Sequence, residues 1–347
     1  LMAIIDKSNN FFTTKLYTGN GSTQNITGLD FAPNWVWIKS RTSSRVHVLV
    51  DTVRGATKRL QTNEADAEAT TSNSLTAFNS DGFSLGSYNQ SNEGSASFVS
   101  WNWKANGSGS ANTAGSINSV VSVNTTSRFS IVSYTGTGSN ATIGHGLGAA
   151  PAMVITKRLS AADDWIVWQK GLTNPASYLY LNGSNVEMGS VAAYQNITPT
   201  STLLYPGTDG RTNANGQTYI SYCFADVESY SKFGKYRGNG SSNGQVVYTG
   251  FSPAFVIIKN IDAGESWMMF DNQRLTFNQT NGRYQLQPNT SSAEYQGAPL
   301  IDFLSGGFKL TTNTNSLNVA QNYIYMAFAA NPFVTSTDNN SIPGPAV

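Results

Sequence analysis

Three segments of this 347-residue chain carry the same four marks in the same order, and that repetition limits the possible folds more than any other feature. The first mark is an aromatic turn: Tyr17-Thr18-Gly19, Tyr134-Thr135-Gly136 and Tyr236-Arg237-Gly238. A proline follows 16, 17 and 17 residues later and opens an apolar run ending on a lysine. The three runs are Pro33-Asn34-Trp35-Val36-Trp37-Ile38-Lys39, Pro151-Ala152-Met153-Val154-Ile155-Thr156-Lys157 and Pro253-Ala254-Phe255-Val256-Ile257-Ile258-Lys259. Proline at the first position of a strand breaks no ladder. The third mark starts 14 residues after each proline, at His47, Trp165 and Trp267. The fourth starts 65, 68 and 70 residues after it, at Phe98, Tyr219 and Tyr323. Its large and small side chains alternate roughly as in a strand with one buried face.

The outer copies share a further block, Phe78-Asn79-Ser80-Asp81-Gly82-Phe83 and Phe303-Leu304-Ser305-Gly306-Gly307-Phe308. Its glycine is expected to sit in a tight turn at positive φ. The middle copy has Leu203-Leu204-Tyr205-Pro206-Gly207 in about that place, so a remodelled hairpin is expected there.

Short β-branched and aromatic runs separated by Gly, Asn, Ser and Pro predict an all-β chain. The expected architecture is three tandem antiparallel β-sandwiches, jelly-roll-like, over residues 1–113, 114–232 and 233–347. Gly107 to Ser116 reads as the first linker. Thr52 to Leu60 and Asn63 to Glu68 are the places where a short helical turn could form. The tail from Thr335, with Pro343 and Pro345, is expected to be extended.

Composition narrows the function. Charged residues are 12% of the chain against about 25% in an average domain. The net charge is +1 and the basic residues are scattered, which argues against nucleic acid. No apolar run approaches the roughly 18 residues of a membrane helix, and the first residues lack the pattern of a secretory leader. A single cysteine, Cys223, permits no intrachain disulfide. The Asn-x-Ser/Thr triplets at Asn25, Asn106, Asn124, Asn182, Asn196 and Asn278 follow from a composition rich in Asn, Ser and Thr.

Catalysis needs convergent polar groups, and the sequence offers few. His47 falls where the other copies place Trp165 and Trp267, so it reads as a packing residue. His145 lies between glycines and reads as a turn residue. Cys223 matches Asn102 and Ala327 and reads as a buried thiol. The acidic groups Glu64/Asp66/Glu68 and Asp163/Asp164 leave a glycosidase pair open, and with it a glycan depolymerase, but nothing in the sequence favours it. Asp51-x-x-Arg54 and Asp271-x-x-Arg274 recur with the repeat, as expected of an ion pair closing a turn. Asp209-Gly210 and Asp81-Gly82 are turn signals. No catalytic residue, cofactor site or metal site is assigned. Aromatic and amide-rich loops suit sugar hydroxyls and C–H faces, which leaves carbohydrate recognition open.

Several of these blocks together resemble a repeat domain of marine bacteriophages, of the cyanophage type, found in virion structural and tail-fibre-like proteins. They are Lys15-Leu16-Tyr17-Thr18-Gly19-Asn20-Gly21, Asp51-Thr52-Val53-Arg54-Gly55, Ser80-Asp81-Gly82-Phe83-Ser84-Leu85-Gly86 and Gly144-His145-Gly146-Leu147-Gly148. The resemblance implies a non-enzymatic component of a virion: a tail fibre, a capsid-surface fibre or a decoration. It implies other virion proteins as partners and self-association with a trimer favoured; a host-surface glycan is a further partner that the aromatic, amide-rich loops leave open. The alternative is a stand-alone lectin-like protein.

Overall fold

The computed structural model describes residues 5–274, 283–297 and 300–331. The chain is all-β with antiparallel sheets. Each copy builds a sheet, four-stranded in the outer copies and eight-stranded in the middle one, on the same set of four strands: the first pairs with the last, the last with the second and the second with the third. In the first copy the order is Phe12–Thr18, Ser97–Trp103, Trp35–Ser40, Val48–Asp51. In the second it is Phe129–Thr135, Thr218–Phe224, Met153–Arg158, Ile166–Gln169. In the third it is Ser231–Arg237, Asn322–Asn331, Ser252–Asn260, Met268–Asp271.

A smaller sheet covers one face of each. In the outer copies it has three strands: Gln24–Ile26, Gly82–Leu85 and Leu75–Asn79, then Val246–Tyr248, Gly307–Leu310 and Ile301–Leu304. The middle copy keeps two, Ile143–Gly144 and Leu203–Leu204, and adds the short helix Val191–Tyr194; its other short helix, Gly210–Asn213, matches Asn89–Asn92 of the first copy. The hairpin glycines serve a purpose other than the expected one. Gly82 and Gly307 are not at positive φ. A Cβ there would lie 1.8 Å from the Ile26 oxygen and 2.1 Å from the Val247 oxygen, so close backbone approach requires them.

The other face of every large sheet turns inward, and the three inner faces share one core. In the second strand of each copy, Trp35 and Trp37, Met153 and Ile155, and Phe255 and Ile257 enter that core. The residues between them, Val36, Val154 and Val256, enter separate outer cores. This is period-2 alternation with both faces dry, and it explains why these runs are continuously apolar. Trp103, Phe224 and Phe328 hold the same position in the three copies. Their ring centroids are 6.3 Å (Trp103–Phe224), 5.6 Å (Trp103–Phe328) and 6.0 Å (Phe224–Phe328) apart. Three equivalent rings touching pairwise mark the axis of an approximately threefold body.

The expectation of sandwiches in series, each with its own core, therefore changes: the outer cores are separate and the inner one is common. Two local expectations change as well. Ser110–Asn112, inside the expected linker, is an edge strand of the middle sheet, paired to Ser119–Asn124. Asn63 to Glu68 is not helical, and Lys58–Arg59 is a short strand paired to Ala69–Thr70. The expected tail from Thr335 lies outside the described residues.

Candidate functional site

Most of the chemistry-bearing side chains singled out in the sequence lie on the seams between copies. At the end of each second strand, a backbone N–H from one copy meets a carbonyl of the next. Glu68 donates to the Leu159 oxygen at 2.9 Å, Glu187 to Ile261 at 2.8 Å and Glu294 to Arg41 at 2.8 Å. Beside each lies a ring N–H bond: Trp165 Nε1 to the Gln61 oxygen at 2.9 Å and Trp267 Nε1 to Tyr180 at 2.8 Å. The third is made by His47, whose Nε2 is 3.0 Å from the Gln287 oxygen. Trp37 Nε1 donates to His47 Nδ1 at 2.9 Å, so Nε2 carries the proton and donates. His47 thus replaces the tryptophan of the other copies, hydrogen bond included, and burial holds its pKa well below the ordinary value.

The three lysines closing the apolar runs are fully buried in these seams. Lys157 Nζ donates to the oxygens of Ala65 at 3.0 Å and Asp163 at 2.8 Å. Lys259 Nζ donates to Ser184 at 3.2 Å and Asn260 at 2.6 Å. Lys39 Nζ donates to the Ser40 oxygen at 2.9 Å and faces Glu294. Burial lowers Lys39 to about 7, and Lys157 and Lys259 to about 8, with nearby carboxylates opposing the shift.

These shifts set the pH dependence of stability. Above neutrality the folded lysines lose protons while unfolded lysines hold theirs to about 10.4, so stability rises with pH across that interval. Below about 6.5 the unfolded histidines take up a proton that buried His47 and His145 resist, and stability falls. Above about 10 buried tyrosines such as Tyr17, Tyr134 and Tyr236, raised well above their usual value, reverse the trend. Urea midpoints are therefore expected to climb from pH 6 to about 9 and drop beyond 10. Lys157→Met should flatten the climb. A midpoint unchanged from pH 7 to 9 would contradict the assignment.

At the opposite end of the sheets the Asp-x-x-Arg pairs close their turns, as expected. Arg54 Nε lies 2.5 Å from Asp51 Oδ2, and Arg274 Nε 2.5 Å from Asp271 Oδ2. Each pair also reaches a second acid, Glu68 at 3.2 Å and Glu294 at 3.0 Å. Each aspartate accepts a hydrogen bond from the neighbouring copy: Tyr222 OH to Asp51 Oδ2 at 2.7 Å and Trp101 Nε1 to Asp271 Oδ2 at 3.0 Å. The middle copy has Gln169 and Leu172 instead. In the third copy, the position of Tyr222 and Trp101 is filled by Met326, which has no proton to donate. Gln169 Nε2 accordingly becomes the donor, 3.0 Å from the Gly234 oxygen.

The remaining candidates are also bonded into the scaffold. Buried His145 accepts the Leu147 N–H at Nδ1 and reaches the Thr200 oxygen through Nε2. Cys223 is buried, and burial raises its thiol to about 12. Glu64 accepts from Asn63, Asp164 from Asn182, and Asp163 from Arg158. Among the described residues, no three His, Cys, Asp or Glu side chains are grouped to hold a metal, and no helix is long and apolar enough to cross a membrane.

What the body presents outward is more suggestive. After each aromatic turn an exposed loop follows: 19–23, 136–140 and 238–243. Each is clamped by a fully buried asparagine that sequence reading did not single out. Asn92 Oδ1 accepts the Asn20 N–H and its Nδ2 donates to the Ser22 and Gly86 oxygens. Asn213 does the same for Thr137, Ser139 and Gly207, and Asn318 for Asn239, Ser241 and Thr312. A polar loop tied this way is preorganised for recognition. Below the loop of the third copy, Tyr248 projects from an edge strand with 74% of its surface exposed, beside an open groove reaching Asp226, Glu228 and Lys232.

A family model described as a domain of unknown function, DUF7483, matches residues 7–332, all three copies together. No curated protein and no solved structure matches the chain.

Proposed function

The chain belongs to the DUF7483 family, and we propose that it is a non-enzymatic structural protein of a bacteriophage particle, borne as a tail fibre, capsid-surface fibre or decoration. We read each copy as a small two-layer sandwich fused to its neighbours around the shared core. The observation that carries this reading is the approximately threefold body made from one chain, with its equivalent exposed loops each locked by a buried asparagine. A body of that symmetry offers three similar faces to a threefold partner such as a fibre end. The apolar inner faces that could drive a homotrimer are covered within the chain. Self-association, still proposed, would use the outer faces and loops. The second reading, a stand-alone lectin-like protein, is favoured by exposed Tyr248 alone.

Mass spectrometry and cryo-electron microscopy of particles purified from a phage encoding the chain test the proposal. Peptides at stoichiometric copy number, with density on the tail or shell, support it. Absence from intact particles overturns it and favours the lectin reading.

A further inference from the structure

The exposed tyrosine beside the groove, Tyr248, is not repeated in the other copies. Val247 is paired with Phe308, as Ile26 is with Phe83 and Ile143 with Leu204. The next residue is Thr27 in the first copy, Gly144 in the second and Tyr248 in the third. The tyrosine ring leans on backbone. A Cβ at Gly306 would come within 3.1 Å of its Cε2, and one at Gly250 within 4.0 Å of its Cε1. Glycines at both places let the ring lie against the turn, while most of its surface faces solvent.

Across the groove stand Glu228 and Lys232, both exposed and without an ion-pair partner among the described residues. Asp226, by contrast, is committed: its carboxylate accepts the Phe233 N–H at 2.9 Å and pairs with Lys170. The groove encloses roughly 570 Å³, within the range of small-molecule clefts. It thus combines a supported aromatic face, a free acceptor, a free donor and the tyrosine hydroxyl.

We propose that this groove binds a neutral saccharide, with one pyranose ring stacked on Tyr248 and its hydroxyls shared between Glu228 and Lys232. The inference rests on the attachment part of the function proposed above and names the ligand class for it. A pyranose presents a C–H face to an aromatic ring and hydroxyls at its edge, which is the complement of these groups. Lys170 already neutralises Asp226, and the charges of Glu228 and Lys232 balance, which suits a sugar without net charge.

Saturation-transfer difference NMR on the full chain tests this. The probes are methyl β-glucoside, methyl β-galactoside, N-acetylglucosamine and the disaccharides cellobiose, lactose and chitobiose. Transfer to the C–H face of at least one probe is expected. Tyr248→Ala should weaken binding at least tenfold, while Tyr248→Phe and the exposed control Tyr295→Ala retain it. No transfer to any probe overturns the proposal, as does transfer that survives Tyr248→Ala. So does a Tyr248→Ala effect on light-scattering mass in place of sugar binding, which would make the strand a self-association edge. Failure here with the chain present on virions removes only the sugar site. Sugar binding with the chain absent from virions removes only the virion reading.

Discussion

Asp271→Ala is expected to lower the unfolding free energy by about 3–5 kcal/mol, the usual cost of removing one partner from a buried ion pair. Both Asp271 and Arg274 are fully buried. Without the carboxylate, the Arg274 guanidinium keeps Glu294 and the Met269 oxygen as hydrogen-bond partners among the described residues. The Trp101 indole N–H of the first copy loses its acceptor, as do the backbone N–H groups of Gln273 and Arg274. The effect should reach beyond the third copy, because the aspartate is part of its seam with the first. The middle copy suggests the compensating change. With Gln169 and Leu172 in the equivalent places it needs no ion pair, so Asp271→Gln/Arg274→Leu should recover more than half of the loss. Urea unfolding of the two variants decides the matter. A single-variant loss below about 1 kcal/mol, or a double variant no better than the single, would show that the pair is not what holds the seam.

Trp103→Ala should cost a similar amount, about 3–5 kcal/mol, from lost burial and the cavity left behind. The informative feature is which part of the chain responds. Trp103 touches Phe12 and Trp35 of its own copy, Phe224 of the second, and Phe255 and Phe328 of the third. If the shared core makes the chain one cooperative unit, the near-ultraviolet circular dichroism of all copies should shift to lower denaturant in a single transition. Independent sandwiches would behave otherwise: only about a third of the signal would move, because unconnected cores unfold separately. A biphasic curve in which one component shifts and the other does not would overturn the common-core account.

Much of this fold was legible in the sequence because it rests on local rules. The second and fourth repeated marks foretold strands, which the structure pairs alike in all three copies, and the Asp-x-x-Arg spacing foretold both ion pairs; the first mark, read as a turn, ends a strand instead. Matching His47 with Trp165 and Trp267 by position identified it as a packing residue, and the structure adds the hydrogen bond it inherits. One available signal was read too weakly. Runs such as Trp35-Val36-Trp37-Ile38 and Phe255-Val256-Ile257-Ile258 are apolar at every position, which means two buried faces. A sandwich wetted on its outside needs only every second residue to be apolar.

The sequence by itself determined the strand content, the threefold repetition and the residues that close each turn, because each follows from neighbours along the chain. It left open what lies opposite each sheet. That Trp103, Phe224 and Phe328 meet, that Lys157 and Lys259 reach carbonyls of a neighbouring copy, and that Gln169 donates to the Gly234 carbonyl depends on residues far apart in the chain. So does the open side of Tyr248, since exposure is a property of what fails to cover a side chain. Contacts of this kind carry no periodicity along the chain, and only the packed structure decides them.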